Sequence, residues 1–211
     1  MINGKSIQLT AVVATKDYME PTLKAIRKSL SVFTKPDEYG DDLIDDVVIV
    51  CPEKERVRHE FSECIVDFDY SDYSEFMVKE LHDCVSADYC MTIQWDSCII
   101  DPNQWTDEFL EYDYIGSVWQ NAWPNRVGGG GFSLRSRKLL EFSSQLEYKK
   151  TDNFILNNED VVICVLNYDH LVSKGIKFAP LSLARQFCVE RPNTEFPHDY
   201  NDINTYNAFS F

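Results

Sequence analysis

Nowhere in this sequence is there an apolar run approaching the roughly 20 residues that a membrane-spanning helix needs. The N-terminal MINGKSIQLTAVVA has too short an apolar core for a signal peptide, and no small-residue cleavage site follows it. The expected location is therefore the cytoplasm. None of the seven cysteines forms a Cys-x-x-Cys pair, their number is odd, and most sit in apolar runs such as Val50-Cys51 and Ile163-Cys164. That argues against a zinc site and a disulfide framework, and reads as reduced core thiols. Positive charge is scarce, with 20 Lys and Arg against 35 Asp and Glu, a net formal charge of -15. A nucleic-acid binder needs a basic face against phosphate, so nucleic acid is excluded as the main partner. A phosphate-bearing small ligand meets the same repulsion unless a Lys, an Arg or a carboxylate-held metal ion inverts the local field.

What is present is an ordinary globular composition, 44% hydrophobic and 26% charged over 211 residues. It is enough for one α/β domain with a sizeable core or for two small ones. Residues 6–14 read as a first strand, and Glu20-Pro21 opens a helix to about Phe33. Lys35 to Asp41 is a loop, Val47 to Cys51 a second strand, and Pro52 starts a charged helix. Cys64 to Phe68 is a third strand, and Ser74 caps a helix to about Val85. Cys90 to Ile93 is a fourth strand. This alternation predicts a mostly parallel sheet with helices on both faces. Beyond it, Asp101-Pro102 caps a helix, Tyr114 to Trp119 is a strand and Ser136 to Leu146 a helix. Asn157 to Asp160 opens a further helix, and 176–179 and 181–187 read as late strands. The tail from Pro192 receives no regular structure; it either folds back over a site or links onward.

The stretch Asp88 to Asp101, DYCMTIQWDSCIID, concentrates the chemical signal. Asp96 lies just past the end of a short buried strand. Ligands bind at the carboxyl ends of central strands in α/β sheets, whereas the plain reading of Asp96 is a turn cap. Asp67-Phe68-Asp69 has the spacing of a cation-chelating pair, yet in so acidic a chain Asp69 reads equally as a turn cap or a ligand edge. Gly128 to Gly131 take four of the chain's eight glycines. A stretch without β-carbons lets backbone N–H groups approach a ligand; a flexible turn is the alternative. It is neither a Walker loop, a dinucleotide fingerprint nor a nucleophile elbow. Asn158-Glu159-Asp160 puts acids at a helix start, where dipole and capping alone explain them and where a rigid general base would also sit. His198 is a loop histidine able to complete a metal site.

Taken in order, these pieces resemble the GT-A-type glycosyltransferases. That family carries a metal-binding Asp-x-Asp after the fourth strand, a glycine-rich loop, an x-Glu-Asp at a helix start and a C-terminal histidine. Here the positions are Gln94-Trp95-Asp96, Gly128 to Gly131, Asn158-Glu159-Asp160 and His198, across about residues 7 to 200. The phrases Ile93 to Asp96, Glu111 to Gly116 and Gly131 to Ser136 look like a subgroup of bacterial and large-virus transferases, including capsid-decorating enzymes that work in host cytoplasm.

The resemblance implies a single Rossmann-like domain over 1–211. Residues 1–101 would form the nucleotide-binding half, 102–192 the donor-sugar and acceptor half, and 193–211 a tail contributing to the site, with room for further domains after Phe211. It implies Mn²⁺ or Mg²⁺ on Asp96 and His198, a UDP-sugar donor, and transfer of a hexose or deoxyhexose with inversion to a glycan or glycoprotein hydroxyl. Thr15 would contact the nucleoside, Asp69 the base, and Lys79 a phosphate or the ribose. Gln94, Trp95, Gly129 and Gly130 would line the donor, Trp119 or Trp123 would stack on a sugar, and Asp160 would be the base. The departure is Gln94, standing where the family has an acid, which implies fewer charged ligands and a weaker metal. That residue motivates the alternative of a non-catalytic nucleotide- or carbohydrate-binding domain on the same fold. A third reading, a metal-dependent nucleotidyltransferase, finds only Lys16 near the first strand to meet a triphosphate.

Overall fold

A computed structural model describes residues 4–32, 43–119, 123–189 and 208–210. Four strands, β1 (Ile7–Val12), β2 (Asp46–Cys51), β3 (Ser62–Ile65) and β4 (Tyr89–Ile93), run parallel. They are followed by β5 (Tyr114–Ile115), β6 (Ser117–Val118), β7 (Val127–Gly128) and β8 (Phe132–Ser136). The main sheet has the order β3-β2-β1-β4-β8-β5, with β6 and β7 in a separate ribbon. Strand β8 is antiparallel to both β4 and β5. The helices are α1 (Met19–Ser31), α2 (Tyr73–Lys79), α3 (Arg137–Ser143), α4 (Glu159–Val161), α5 (Tyr168–Ser173) and α6 (Leu181–Phe187).

The period-2 alternation of the strands sorts their side chains into two cores. Ile7, Leu9 and Ala11 of β1, Ile49 of β2 and Met91 of β4 pack with Met19, Leu23 and Ile26 of α1. Val48 and Val50 of β2 and Cys90 of β4 face the other way, onto Phe76 and Met77 of α2 and Leu140 of α3. The sheet is thus covered on both faces, as the alternating pattern predicted.

Several local expectations give way to tertiary context. The segment after Pro52 makes only a 3₁₀ turn, Glu53–Glu55. It lacks an apolar stripe to bury, Val57 is exposed, and Arg56 spends its guanidinium on Glu53 and Glu63 instead. Helix α2 starts one residue before Ser74 and ends at Lys79, then yields to a 3₁₀ turn at Leu81–Cys84. Residues 181–187 are helical rather than extended. Leu183, Ala184 and Phe187 are the buried positions, a helical spacing that the alternating Leu181-Ser182-Leu183 obscures. The strand expected over 114–119 breaks at Gly116, where a β-carbon would meet the Gly128 carbonyl oxygen at 2.1 Å. Helix α4 passes directly into a π-helical turn, Val162–Leu166. Cys64 and Cys84 form a disulfide, with Cα atoms 5.9 Å apart. This corrects the reading of seven reduced thiols; β3 and the turn after α2 are 20 residues apart in sequence, and the parallel sheet makes them neighbours. Cys51, Cys90, Cys98, Cys164 and Cys188 lie outside this bridge and are buried. Among the described residues, no helix is long and apolar enough to cross a membrane.

Ala208, Phe209 and Ser210 return to the core and are fully buried. Ile100 N–H donates to Phe209 O (2.9 Å), and Phe209 N–H donates to Gln186 O (2.8 Å). The Phe209 ring packs on Trp105 (5.2 Å), Phe187 (5.8 Å) and Phe132 (6.2 Å). This short segment therefore ties α6 to the residues that follow β4. Replacing Phe209 with Ala is expected to cost about 3–5 kcal/mol, the range for deleting a buried aromatic ring. Urea denaturation of the variant measures it, and a change below about 1 kcal/mol would contradict the docking.

Candidate active site

A cavity of about 800 Å³ opens at the carboxyl ends of β1 and β4. Its lining draws on the end of β1, the Gln94-Trp95-Asp96 turn, the glycine run, and Asn158, Glu159 and Asp160. Antiparallel pairing of β4 with β8 brings the second and third of these together. Ile93 stands opposite Phe132 and Thr92 opposite Ser133, so the residues before β8 fall beside those after β4.

The turn after β4 is closed by Ser97. Its hydroxyl accepts from Gln94 N–H (3.0 Å) and donates to Gln94 O (3.1 Å). Capping of this turn thus falls to serine, and Asp96 faces the cavity. The Gln94 amide donates to the Tyr73 hydroxyl (2.9 Å). Burial pushes the Tyr73 phenol up, which keeps it a neutral partner. Trp95 stacks on Tyr18 (5.6 Å), and Tyr18 on Tyr70 (6.4 Å). These rings are 42%, 37% and 64% exposed and form an aromatic wall on the cavity.

Gly129 has φ +73°, a left-handed conformation that glycine adopts without strain. The Thr92 hydroxyl holds Gly130 by its carbonyl (3.1 Å), and Asp160 holds it by its N–H, which donates to Oδ2 (3.0 Å). Val161 N–H donates to Asp160 Oδ1 (2.8 Å). Both carboxylate oxygens of Asp160 are thereby anchored to backbone, at a helix start where negative charge is favoured. Beneath Gly130, the buried Glu159 carboxyl lies 3.6 Å from Nη2 of the fully buried Arg135. A β-carbon on Gly130 would meet Glu159 Oε1 at 2.0 Å. Burial and then repulsion from Asp160 push the Glu159 carboxyl up to about 7, outweighing the pull of Arg135.

The expected site residues divide. Gln94, Trp95, Asp96, Gly129, Gly130 and Asp160 are brought together around the cavity. Thr15 precedes the 3₁₀ turn at Lys16–Tyr18 and lies outside the lining, which takes the neighbouring Ala14 instead. Asp69 is exposed and paired with Lys54 (2.7 Å). Lys79 donates to the Leu146 carbonyl (2.6 Å). Trp119 is buried against Gly128, and Trp123 is packed at the core edge. His198 falls outside the described residues. The sequence reading gave no role to Tyr18, Tyr70, Tyr73, Lys150 or Arg135. Lys150, ion-paired with Asp72, is the cation among the described lining residues, which also include the acids Asp96, Glu159 and Asp160. Arg135 carried a legible signal: a charge inside the strand Phe132–Ser136, every residue of which is buried. Among the described residues there is no cluster of three His, Cys, Asp or Glu able to cage a metal. The cavity's donors suit a hard cation that arrives on phosphate oxygens and needs one further carboxylate, as Mg²⁺-nucleotide complexes do; Asp96 can supply it.

Residues 58–204 match the model of a family described as protein of unknown function, DUF5672. No curated protein matches the chain. Among solved structures, the galactosyltransferase LgtC in complex with donor and acceptor sugar analogues is 14% identical with a TM-score of 0.50, over 86% of this chain and 74% of that one. An active-site mutant of LgtC gives 11% identity and a TM-score of 0.51, over 96% and 85%. A glycosyltransferase involved in glycosylation of the major capsid of PBCV-1 is 8% identical over 82% of this chain and 80% of that one, with a TM-score of 0.44. The LgtC likeness shows the fold, that of the GT-A glycosyltransferases.

A carboxyl whose folded pKa is raised favours the folded state while protonated. Glu159 therefore withdraws stability as pH rises from the ordinary glutamate value toward about 7. At about 1.4 kcal/mol per pKa unit, the loss across that window is roughly 2–4 kcal/mol. Denaturation of wild type and Glu159→Gln at pH 5 and pH 8.5 should show this component vanish in the variant. An unchanged difference would refute it.

Proposed function

We propose that this chain, which belongs to the DUF5672 family, is a glycosyltransferase moving a hexose or deoxyhexose from a UDP-sugar to a hydroxyl of a glycan or glycoprotein. The observation that carries this reading is the Asp160 carboxylate, lining the cavity of a GT-A fold and pinned there by Gly130 N–H (3.0 Å). A base that faces substrate with a fixed orientation can take the acceptor proton as the oxygen attacks. The new C–O bond forms at the anomeric carbon, the bond to the UDP oxygen breaks in line with it, and the configuration inverts. The proton ends on Asp160.

The remaining lining supports the same assignment. Residues 1–101 supply the nucleotide half and 102–192 the sugar and acceptor half. Tyr18, Tyr70 and Trp95 offer stacking surface for the nucleoside, a task that falls less naturally to Thr15 and Asp69, which lie outside the lining. Lys150 is available to balance phosphate, because its exposed pair with Asp72 is weakly held. Asp96 would hold Mn²⁺ or Mg²⁺ together with the donor diphosphate, and His198 is the second protein ligand in this reading. Such an ion neutralises charge on the departing nucleotide. Gln94 adds no charge, and its bond to Tyr73 makes it a fixed wall of the donor site. Gln94 is also the residue that favours a second reading, a nucleotide- or carbohydrate-binding domain without catalysis.

UDP release from a panel of UDP-sugars with Mn²⁺ tests the proposal. Asp160→Asn and Asp96→Ala should each lower turnover at least tenfold, while Asp160→Asn keeps UDP affinity within about threefold, since a base acts on the rate and not on nucleotide binding. Unchanged turnover in both variants would remove these roles. Calorimetric UDP binding by wild type, with no turnover on any acceptor, would favour the binding domain.

A further inference from the structure

Arg135 is the largest fully buried side chain of the protein's described residues and it carries a charge. Its Nε donates to Ser133 Oγ (3.0 Å), and the guanidinium sits 5.7 Å from the Tyr114 ring centre. Nη1 and Nη2 have no hydrogen-bond partner among the described residues. Burying a cation with donors unmet is unfavourable, and an apolar side chain of similar volume fills such a strand position more cheaply. Stability therefore does not account for Arg135.

Its neighbours indicate another role. Nη2 is 3.6 Å from Glu159 Oε1, and Glu159 fills the volume that a β-carbon on Gly130 would take. The same ideal β-carbon would lie 3.2 Å from Arg135 Nη2, so the guanidinium and the Glu159 carboxyl both pack directly under this one backbone unit. Ser74 Oγ closes the other side, 3.5 Å from Glu159 Oε2. Gly130 in turn gives its N–H to Asp160. Arg135 and Ser133 ride on β8, whose register with β4 is fixed by the Thr92–Ser133 hydroxyl contact of 2.7 Å. A rigid line thus runs from the sheet through Arg135 and Glu159 to the glycine that aims Asp160.

We propose that Arg135 is a positioning residue, acting through Glu159 to hold the Gly130 N–H on the Asp160 carboxylate. This rests on Asp160 as the base of the transferase reading. A carboxylate displaced by about 1 Å loses rate on the order of 100-fold, whereas donor binding at the aromatic wall is untouched.

Two variants and two readouts test it. Arg135→Lys keeps the charge and loses the planar fork; Glu159→Gln keeps the shape and loses the charge. In each, kcat for UDP-sugar turnover should fall at least tenfold with donor KM within threefold. Amide exchange at Gly130 should accelerate at least tenfold while amides of β1 stay within twofold. Gly130 exchange and kcat both within threefold of wild type would overturn the proposal, as would equal acceleration in β1, the mark of a merely structural role. The Gly130 readout does not depend on turnover. If Asp160→Asn retains activity while Arg135→Lys still frees the Gly130 amide, the base assignment fails and the positioning contact stands.

Discussion

The antiparallel pairing of β4 with β8 is the constraint on which the site depends. β4 continues a parallel series and would end, like β1 and β2, in a loop facing a helix. Because β8 runs back along it, the chain segment entering β8 lies against the segment leaving β4. That single reversal sets Gly129 to Gly131 beside Gln94 to Asp96. It also turns Ser133 and Arg135 toward the face that Cys90 and Thr92 occupy. A register slip of one residue would send Arg135 into the apolar core on the α1 face and Leu134 to the opposite face.

Electrostatics follows from this placement. The chain is strongly acidic, and the cavity concentrates Asp96, Glu159 and Asp160 against Lys150. The buried Arg135 supplies positive charge below the floor, where it acts on Glu159 with little solvent screening. An anionic ligand thus meets a site whose acids are partly answered from beneath and whose remaining balance must come with the ligand. In the proposed transferase, a phosphate-bound divalent cation and one carboxylate, Asp96, would satisfy that balance.

Much of the frame was legible from residue order. The early strand–helix alternation pointed to the sheet, and the Asp101 cap fell where the sequence put it, its side chain accepting from Asn103 N–H, although it opens only a 3₁₀ turn; Ser136, read as the first helical residue, is the cap of α3 instead. Elements without a clean amphipathic period were misread. The charged stretch after Pro52 had no face to bury, and residues 181–187 carried an alternation that tertiary packing overrode. The Cys64–Cys84 bridge could not be read either, since partners far apart in sequence meet only once β3 and the turn after α2 are packed.

The sequence by itself determined which residue types were available at strand ends: Asp96 after a buried strand, a glycine run without side chains, and paired acids at a helix start. Local chemistry decides those features, because turns, caps and backbone freedom depend on near neighbours. Tertiary structure alone decided which of them meet. It set Gly130 on Asp160, drew Lys79 to the Leu146 carbonyl and Asp69 to Lys54, brought Tyr18, Tyr70 and Trp95 into one wall, and buried Arg135 beneath the glycines. The physical reason is that side-chain direction and burial depend on strand register and on packing across the sheet, which local sequence does not carry.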